Sequence, residues 1–323
     1  MIPKLLGAMA LVMVAAGPAQ AVDAARERAV TIVVPFAGGG PTDALGRELA
    51  RSLSDTLGRA VVVRNVEGAG GTVGAERVAK SKPDGNTLLL SNIGHATSVW
   101  LYTSLRYHPA DDFAPLGLVA EVPMTLLARP GLGATSVQDV KALAAQGHPL
   151  TIGHAGVGSA SHLCALLLMD ALKTAFASVP YRGTKPVIQD VANGHIDLLC
   201  DQTTHTLTPI KAGKVKVLGV TAPSRLPNLK TVPTLAESGL PGFDLAVWHG
   251  LYAPKGTPKD TIAALATALR QALQDQRLMT SFTERGVRPA QPDDANPEAL
   301  RLKLINEIER WGPILRNAAA YAD

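Results

Sequence analysis

Aromatic side chains are scarce, at 4% of 323 residues. Bases would find few rings to stack on, and no run of Lys and Arg is dense enough for a phosphate-tracking patch. Nucleic-acid binding is therefore not expected. Charge of one sign is also lacking. The 31 basic and 27 acidic side chains leave +4 in a mixed pattern, which reads as a solvated surface with a mild bias toward anions. Beyond the first 21 residues no window approaches ~18 uninterrupted apolar residues, so no transmembrane helix is expected. Only two cysteines occur, Cys164 and Cys200, and neither stands where a lipoprotein anchor would. The 30 glycines have no period of three, which excludes collagen. At 46% hydrophobic and 18% charged, the chain is composed as a folded protein rather than a disordered one. At roughly 100–200 residues per domain, the length suggests two domains.

Several catalytic and cofactor signatures fail. The eight histidines form no H-E-x-x-H, and His162 with Cys164 lacks zinc spacing. The loop PFAGGGPTD is followed by no Gly-Lys-Ser/Thr, so it is not a Walker A motif. GAGGTVG at 68–74 has Val73 where a dinucleotide fingerprint needs Gly. GVGSASH at 156–162 is not G-x-S-x-G, which leaves a hydrolase built on Ser159 or Ser161 with His162 as a weak alternative. No cofactor and no metal are expected.

What is present begins with a leader. Lys4, an apolar run at 5–16 and Ala19-Gln20-Ala21 form a signal peptide with cleavage after Ala21. Export permits a Cys164–Cys200 disulfide, and two buried free thiols are the alternative.

Behind the leader, strand and helix signals alternate. Strands are expected at 29–36, 60–65 and 86–91, with helices at 44–57 and 75–80 between them. The pattern restarts with strands at 150–154, 177–180, 196–200 and 215–221 and helices at 162–172 and 185–193. Apolar stretches at 113–129 and 246–253 are suited to cross between the two units. Helices at 258–274, 278–284 and 297–316 follow and are expected to pack on the first unit. The fold class is α/β: two lobes joined by two crossover strands, with a ligand cleft between them.

Two loops carry the chemistry. In each, a strand ends, glycines free the backbone and a helix begins, so peptide N–H groups point outward and favour an anion. The first holds Phe36, Ala37, Gly38, Gly39, Gly40 and Asp43. The second holds Gly156, Val157, Gly158, Ser159 and Ser161. Asp43, Thr42, Ser159 and Ser161 are also plain N-cap candidates. Asp201 follows the strand read at 196–200 and is either a ligand contact or a turn residue. Neither glycine-rich loop contains Arg, which favours main-chain dipoles over a guanidinium clamp.

Together, VPFAGGGPTD (34–43), EGAGGTVGAERVAKSKPDG (67–85), GVGSASH (156–162), VPYRGTKP (179–186), TVPTLAESGLPGF (231–243) and WHGLYAPKGTP (248–258) carry a family likeness. The chain resembles the Bug family, the periplasmic solute-binding components of tripartite tricarboxylate transporters. The resemblance implies a type II periplasmic binding protein fold. Its first lobe would span 22–123 and 247–323, and its second 124–246. It further implies a monomer that captures a small carboxylate-bearing organic acid (a di- or tricarboxylate or an aromatic carboxylate). Hinge closure would be followed by delivery to membrane permease subunits, without catalysis. The same fold would also serve a sensor that presents its closed form to a receptor kinase. Asp43, Ser159 and Asp201 match the family's loop positions. Gly38 replaces the more usual Ala, which is expected to loosen that turn or widen the cleft. DQTTHT at 201–206 departs from the common DNLPS-like stretch and is expected to face the variable end of the ligand. Arg182 and His205 are candidate contacts there, and Trp248 and Tyr181 are candidates for stacking on an aromatic acid.

Overall fold

The computed structural model describes residues 29–318. The signal peptide read at 1–21 lies outside the described residues.

The first lobe starts with β1 (Val30–Val34), whose run VTIVV is buried on both faces, as a central parallel strand requires. Helix α1 (Pro41–Leu57) follows and ends on Gly58 in the left-handed conformation, the stop read from the sequence. Then come β2 (Val61–Asn65), α2 (Thr72–Ala79), β3 (Thr87–Asn92) and α3 (Gly94–Leu101). Strands β2 and β3 flank β1, both parallel to it.

The long strand β4 (Phe113–Ala128) leaves this lobe for the second. The second lobe holds α4 (Val137–Ala145), β5 (Thr151–His154), α5 (Ala160–Leu172), β6 (Ala177–Pro180), α6 (Thr184–Asn193), β7 (Leu198–Gln202), α7 (Thr203–Lys211) and β8 (Lys216–Val220). The chain returns along β9 (Ala246–Pro254). It finishes with α8 (Lys259–Ala272), α9 (Gln276–Glu284), the two-residue β10 (Arg288–Pro289) and α10 (Pro297–Ala318).

The strands form one continuous sheet in the order β2-β1-β3-β9-β4-β7-β5-β6, with β8 and β10 also paired to β4. Strand β4 changes partner along its length. Phe113 to Pro123 run antiparallel to β9, and Met124 to Ala128 run antiparallel to β7 and β8. The crossing stretches at 113–129 and 246–253 thus lie side by side as the hinge pair. Both are almost wholly buried.

Two expectations change. The strand read at 196–200 is Leu198–Gln202, so Asp201 lies inside β7 rather than after it. The shift follows from pairing: β7 runs antiparallel to β4 up to Gln202, which faces Met124. The last helix does not belong to the first unit alone. Helix α10 packs on α3 and β4 and also reaches α5 of the second lobe. Its Trp311 is fully buried and donates Nε1–H to Glu307 Oε2 at 2.9 Å.

Cys164 and Cys200 form a disulfide with Cα atoms 6.0 Å apart, so the alternative of two free thiols is closed. It fastens the start of α5 to β7 immediately before Asp201. None of the described helices is long and apolar enough to cross a membrane.

Candidate functional site

The C-terminal ends of five strands, the parallel pair β1 and β3 and the oppositely directed parallel set β5, β6 and β7, meet at one cavity of about 580 Å³. Pro35, Phe36 and Ala37 follow β1, and Asn92 closes β3. Ala155 to Val157 follow β5, Tyr181 to Thr184 follow β6, and Asp201 and Gln202 end β7. Both lobes line it, in the crevice where α/β proteins hold ligands.

In the first lobe, Gly40 caps α1 with no side chain and Pro41 takes the first helical position. Among the described residues, the peptide N–H groups of Thr42 and Asp43 donate to no acceptor. Thr42 lines the cavity, and its Oγ1 contacts Asn92 Nδ2 and His249 Nε2, each at 3.3 Å. His249 is fully buried, which pushes its pKa down to about 4 and keeps it neutral.

Asp43 is buried and does not line the cavity. Its Oδ2 accepts from Gly39 N–H at 2.8 Å and from Arg47 Nε at 3.0 Å. Burial pulls its pKa up. Hydrogen bonds from Arg47, Gly39 and Asn65 outweigh that and hold it below the usual carboxylate range. The carboxylate thus shapes the turn. Gly38 and Gly39 are exposed and also stand outside the lining. A methyl at Gly38 would rest on Asn65 at ordinary contact distance, outside the cavity lining.

In the second lobe, Ser159 caps α5 by accepting His162 N–H at 3.3 Å, and Ser161 Oγ accepts Ala155 N–H at 3.0 Å. The N–H groups of Ala160 and Ser161 have no acceptor among the described residues, and both residues line the cavity. Gly158 lies behind, its N–H donating to His162 Nδ1 at 3.3 Å, while Gly156 N–H donates to His154 Nδ1 at 3.1 Å. Burial, aided by the His154 charge, pushes the His162 pKa down to about 4. Both imidazoles therefore act as neutral acceptors. Neither serine hydroxyl is hydrogen-bonded to an imidazole, so the nucleophile–base pair of a hydrolase is not formed.

Gly183 and Gln202 begin α6 and α7 at the same cavity, again without side-chain caps. Asp201 is 1% exposed and lines the cavity. His205 supports it from behind, its Nδ1 3.0 Å from both Asp201 Oδ2 and Thr184 Oγ1. Arg182 is exposed and is the one Lys or Arg in the lining. Tyr181 also lines the cavity and donates its hydroxyl to Asp190 at 2.6 Å. Trp248 does not: it is 1% exposed in the core under β9, which removes it as a stacking wall.

The lobes touch at the cleft. Tyr102 Oη donates to the Val157 carbonyl at 2.7 Å. A Cβ on Gly70, whose φ is +60°, would overlap that same carbonyl oxygen, so only glycine allows this approach. Among the described residues, no cluster of three or more His, Cys, Asp or Glu is arranged to hold a metal ion.

The lining also includes Asn92 and Tyr102, which no sequence motif marked. Asn92 ends a parallel strand, which is the signal that could have found it. Gly183, Thr184, Gln202 and the segment 67–71 line it too, and the sequence had marked them only as parts of longer motifs.

A two-lobed α/β fold hinged on crossing strands, with helix N-termini of both lobes around one cleft, defines a type II periplasmic binding protein. The sequence profile of the tripartite tricarboxylate transporter family receptors, TctC, matches residues 45–319. The chain belongs to this family, the Bug/TctC solute receptors. A UPF0065 protein from the TAR-I region of Agrobacterium vitis is 45% identical over 301 residues, covering 93% of this chain and 87% of that one. The structure of the periplasmic binding protein BugD aligns with a TM-score of 0.87 at 41% identity, covering 91% and 98%. MatC from Rhodopseudomonas palustris with bound malate gives 0.85 at 38%, covering 89% and 98%. Rpa4515 of R. palustris with adipate gives 0.85 at 33%, covering 90% and 97%.

Proposed function

We propose that this chain is exported, loses its leader after Ala21 and captures a small carboxylate-bearing organic acid by closing its two lobes. It then delivers the acid to the membrane subunits of a tripartite tricarboxylate transporter, without catalysing a reaction. The supporting observation is the convergence of four helix N-termini, those of α1, α5, α6 and α7, on a single cavity, three of them without a side-chain cap. Each presents peptide N–H groups and the positive end of a helix dipole, which together suit a carboxylate without a dedicated cation. Two related structures hold dicarboxylates, malate in one and adipate in the other. In this reading, the peptide N–H groups of Thr42, Ala160 and Ser161 hold the carboxylate. Phe36, Ala37, Gly40, Gly156 and Val157 wall it in, and Asp201 meets the far part of the ligand. Asp43, Gly38, Gly39 and Gly158 shape the loops from outside the cavity.

Thermal unfolding against a panel of organic acids tests this, on protein freed of retained ligand by unfolding and refolding. An acid at ~100 times its Kd should add about 2.7 kcal/mol of stability. A saturable shift with at least one carboxylate is expected. A flat response to all of them, with neutral or cationic solutes giving shifts instead, would overturn the carboxylate reading.

A further inference from the structure

The cavity is not uniformly suited to anions. Its lining contains one basic side chain, Arg182, and two acidic ones, Glu67 and Asp201. Glu67 is exposed, whereas Asp201 is 1% and Gln202 2% exposed. Asp201 Oδ2 faces His205 Nδ1 at 3.0 Å. A carboxylate only accepts, so Nδ1 carries the proton of that bond. Asp201 Oδ1 takes no hydrogen bond from any described residue. The neighbouring carboxamide is equally uncommitted. Gln202 Oε1 is buried without a partner, and its Nε2 donates to no described residue. Sequence-adjacent and held in β7 by its register with β4, these two side chains bring unused hydrogen-bonding capacity to one wall of an otherwise built site.

A ligand that expels water from this wall must supply what the water supplied. An unsubstituted methylene there would strand a buried carboxylate oxygen and a buried amide, both costly to leave unpaired. A second carboxylate there would face the Asp201 charge at close range. A hydroxyl or amino group fits: it donates to Asp201 Oδ1, and the rotatable amide of Gln202 accepts from it or donates to it.

We propose that the wall formed by Asp201 and Gln202 selects organic acids bearing a hydroxyl or amino substituent over unsubstituted acids of the same length. Gln202 is the specificity-determining residue. This rests on the carboxylate-binding reading above and sharpens it to a ligand class. A site that demands a donor rejects the analogue lacking it more strongly than an apolar pocket rejects an extra group.

The test is calorimetric titration of the refolded full chain with matched acids of four, five and six carbons. The sets are succinate, malate and aspartate; glutarate, 2-hydroxyglutarate and glutamate; and adipate, 2-hydroxyadipate and 2-aminoadipate. In at least one set, the hydroxy or amino acid should bind ten-fold or more tighter than its unsubstituted partner. Gln202→Met, which keeps the length and removes the amide, should cut that ratio to about three-fold or less, by weakening the substituted acid and by relieving the unsubstituted one of the stranded amide. Asp201→Asn is the second variant and should cut the ratio as well. Preference for hydroxy over amino acids, or the reverse, names the donor. Equal or tighter binding of unsubstituted acids overturns this inference and leaves the carboxylate reading standing. So does a ratio that survives both variants. Failure of all nine acids to bind overturns this inference, and the wider thermal panel then decides the carboxylate reading on its own.

Discussion

The two loops that face each other across the cleft do the same work with different materials. In the first lobe, the helix start is bare. Gly40 offers no cap, and the turn is drawn tight by the buried Asp43 carboxylate, which is tied to Gly39 and Arg47. In the second lobe, neutral groups do the tying. Ser159 and Ser161 bond the backbone, His154 and His162 accept from glycine N–H groups, and a disulfide locks the following helix to β7. In both lobes the polar side chains that look ligand-ready are spent on the backbone, and the free donors are peptide N–H groups. The difference teaches that the shared feature is the exposed helix start, and the side chains around it are interchangeable ways of holding it still.

Acid should test the neutral half of this comparison with the largest effect. The buried His162 and His249 have pKa values of about 4, and His95 about 3, all lowered by burial from 6.5. Their contribution is complete above pH 6.5. As pH falls from there toward 4, the unfolded chain takes up protons that the folded one refuses. Each histidine should then cost about 1.4 kcal/mol per pH unit. Urea unfolding at pH 7.5, 6.5 and 5.5 measures it, and equal stabilities at 7.5 and 5.5 would contradict the neutral assignments.

Removing the disulfide comes next and strikes the second lobe alone. With Cys164 and Cys200 separated by 36 positions in the chain, the Cys164→Ala, Cys200→Ala double variant should lose about 3–4 kcal/mol. Unchanged unfolding midpoints with and without reductant would remove the disulfide from the comparison.

Gly70→Val addresses the contact between the lobes. The added side chain would overlap the Val157 carbonyl, so closure should be hindered by about 1–3 kcal/mol, or roughly 5- to 150-fold in affinity. Valine at a φ of +60° also strains the turn itself, so stability without ligand should fall by about 1–2 kcal/mol, which chemical unfolding separates from the loss of affinity. Unaltered affinity by calorimetry would mean that ligand capture does not need this approach.

The smallest contrast is between the two ties themselves. Asp43→Ala leaves the Gly39 N–H and the half-exposed Arg47 guanidinium without their acceptor and should cost about 2 kcal/mol, whereas Ser161→Ala should cost about 1 kcal/mol. Chemical unfolding of both variants decides it, and a Ser161→Ala loss equal to or larger than that of Asp43→Ala would reverse the ranking.

Much of the scaffold was legible because its signals are local. The runs VTIVV and AVWHGLYAP read as buried strands, and Gly58 and Gly194 stop their helices in the left-handed conformation expected of them. Three helices were not seen. Helix Val137–Ala145 carried a readable capping box, Ser136 with Asp139. Helix Gly94–Leu101 has its first five residues all buried, so no amphipathic stripe marks it. Helix Thr203–Lys211 contains four threonines and Pro209, poor helix formers that tertiary packing overrides. At the site, both glycine loops were visible as strand–glycine–helix starts. The roles within them were not: Asp43 and Gly158 look like ligand groups in sequence, but Asp43 accepts from Gly39 N–H and Gly158 N–H donates to the His162 imidazole.

Sequence alone determined most of the strands, seven of the helices to within a few residues and the order in which two α/β units follow each other, because hydrophobic period and backbone freedom act over a few residues. Only the tertiary structure decided what faces the cleft. It paired Cys164 with Cys200, extended β7 to carry Asp201 and Gln202 to the wall, sank Trp248 into the core and set Gly70 against the Val157 carbonyl. Those outcomes depend on register and packing between segments tens to hundreds of residues apart, and no local pattern encodes which side of a strand will meet the cavity.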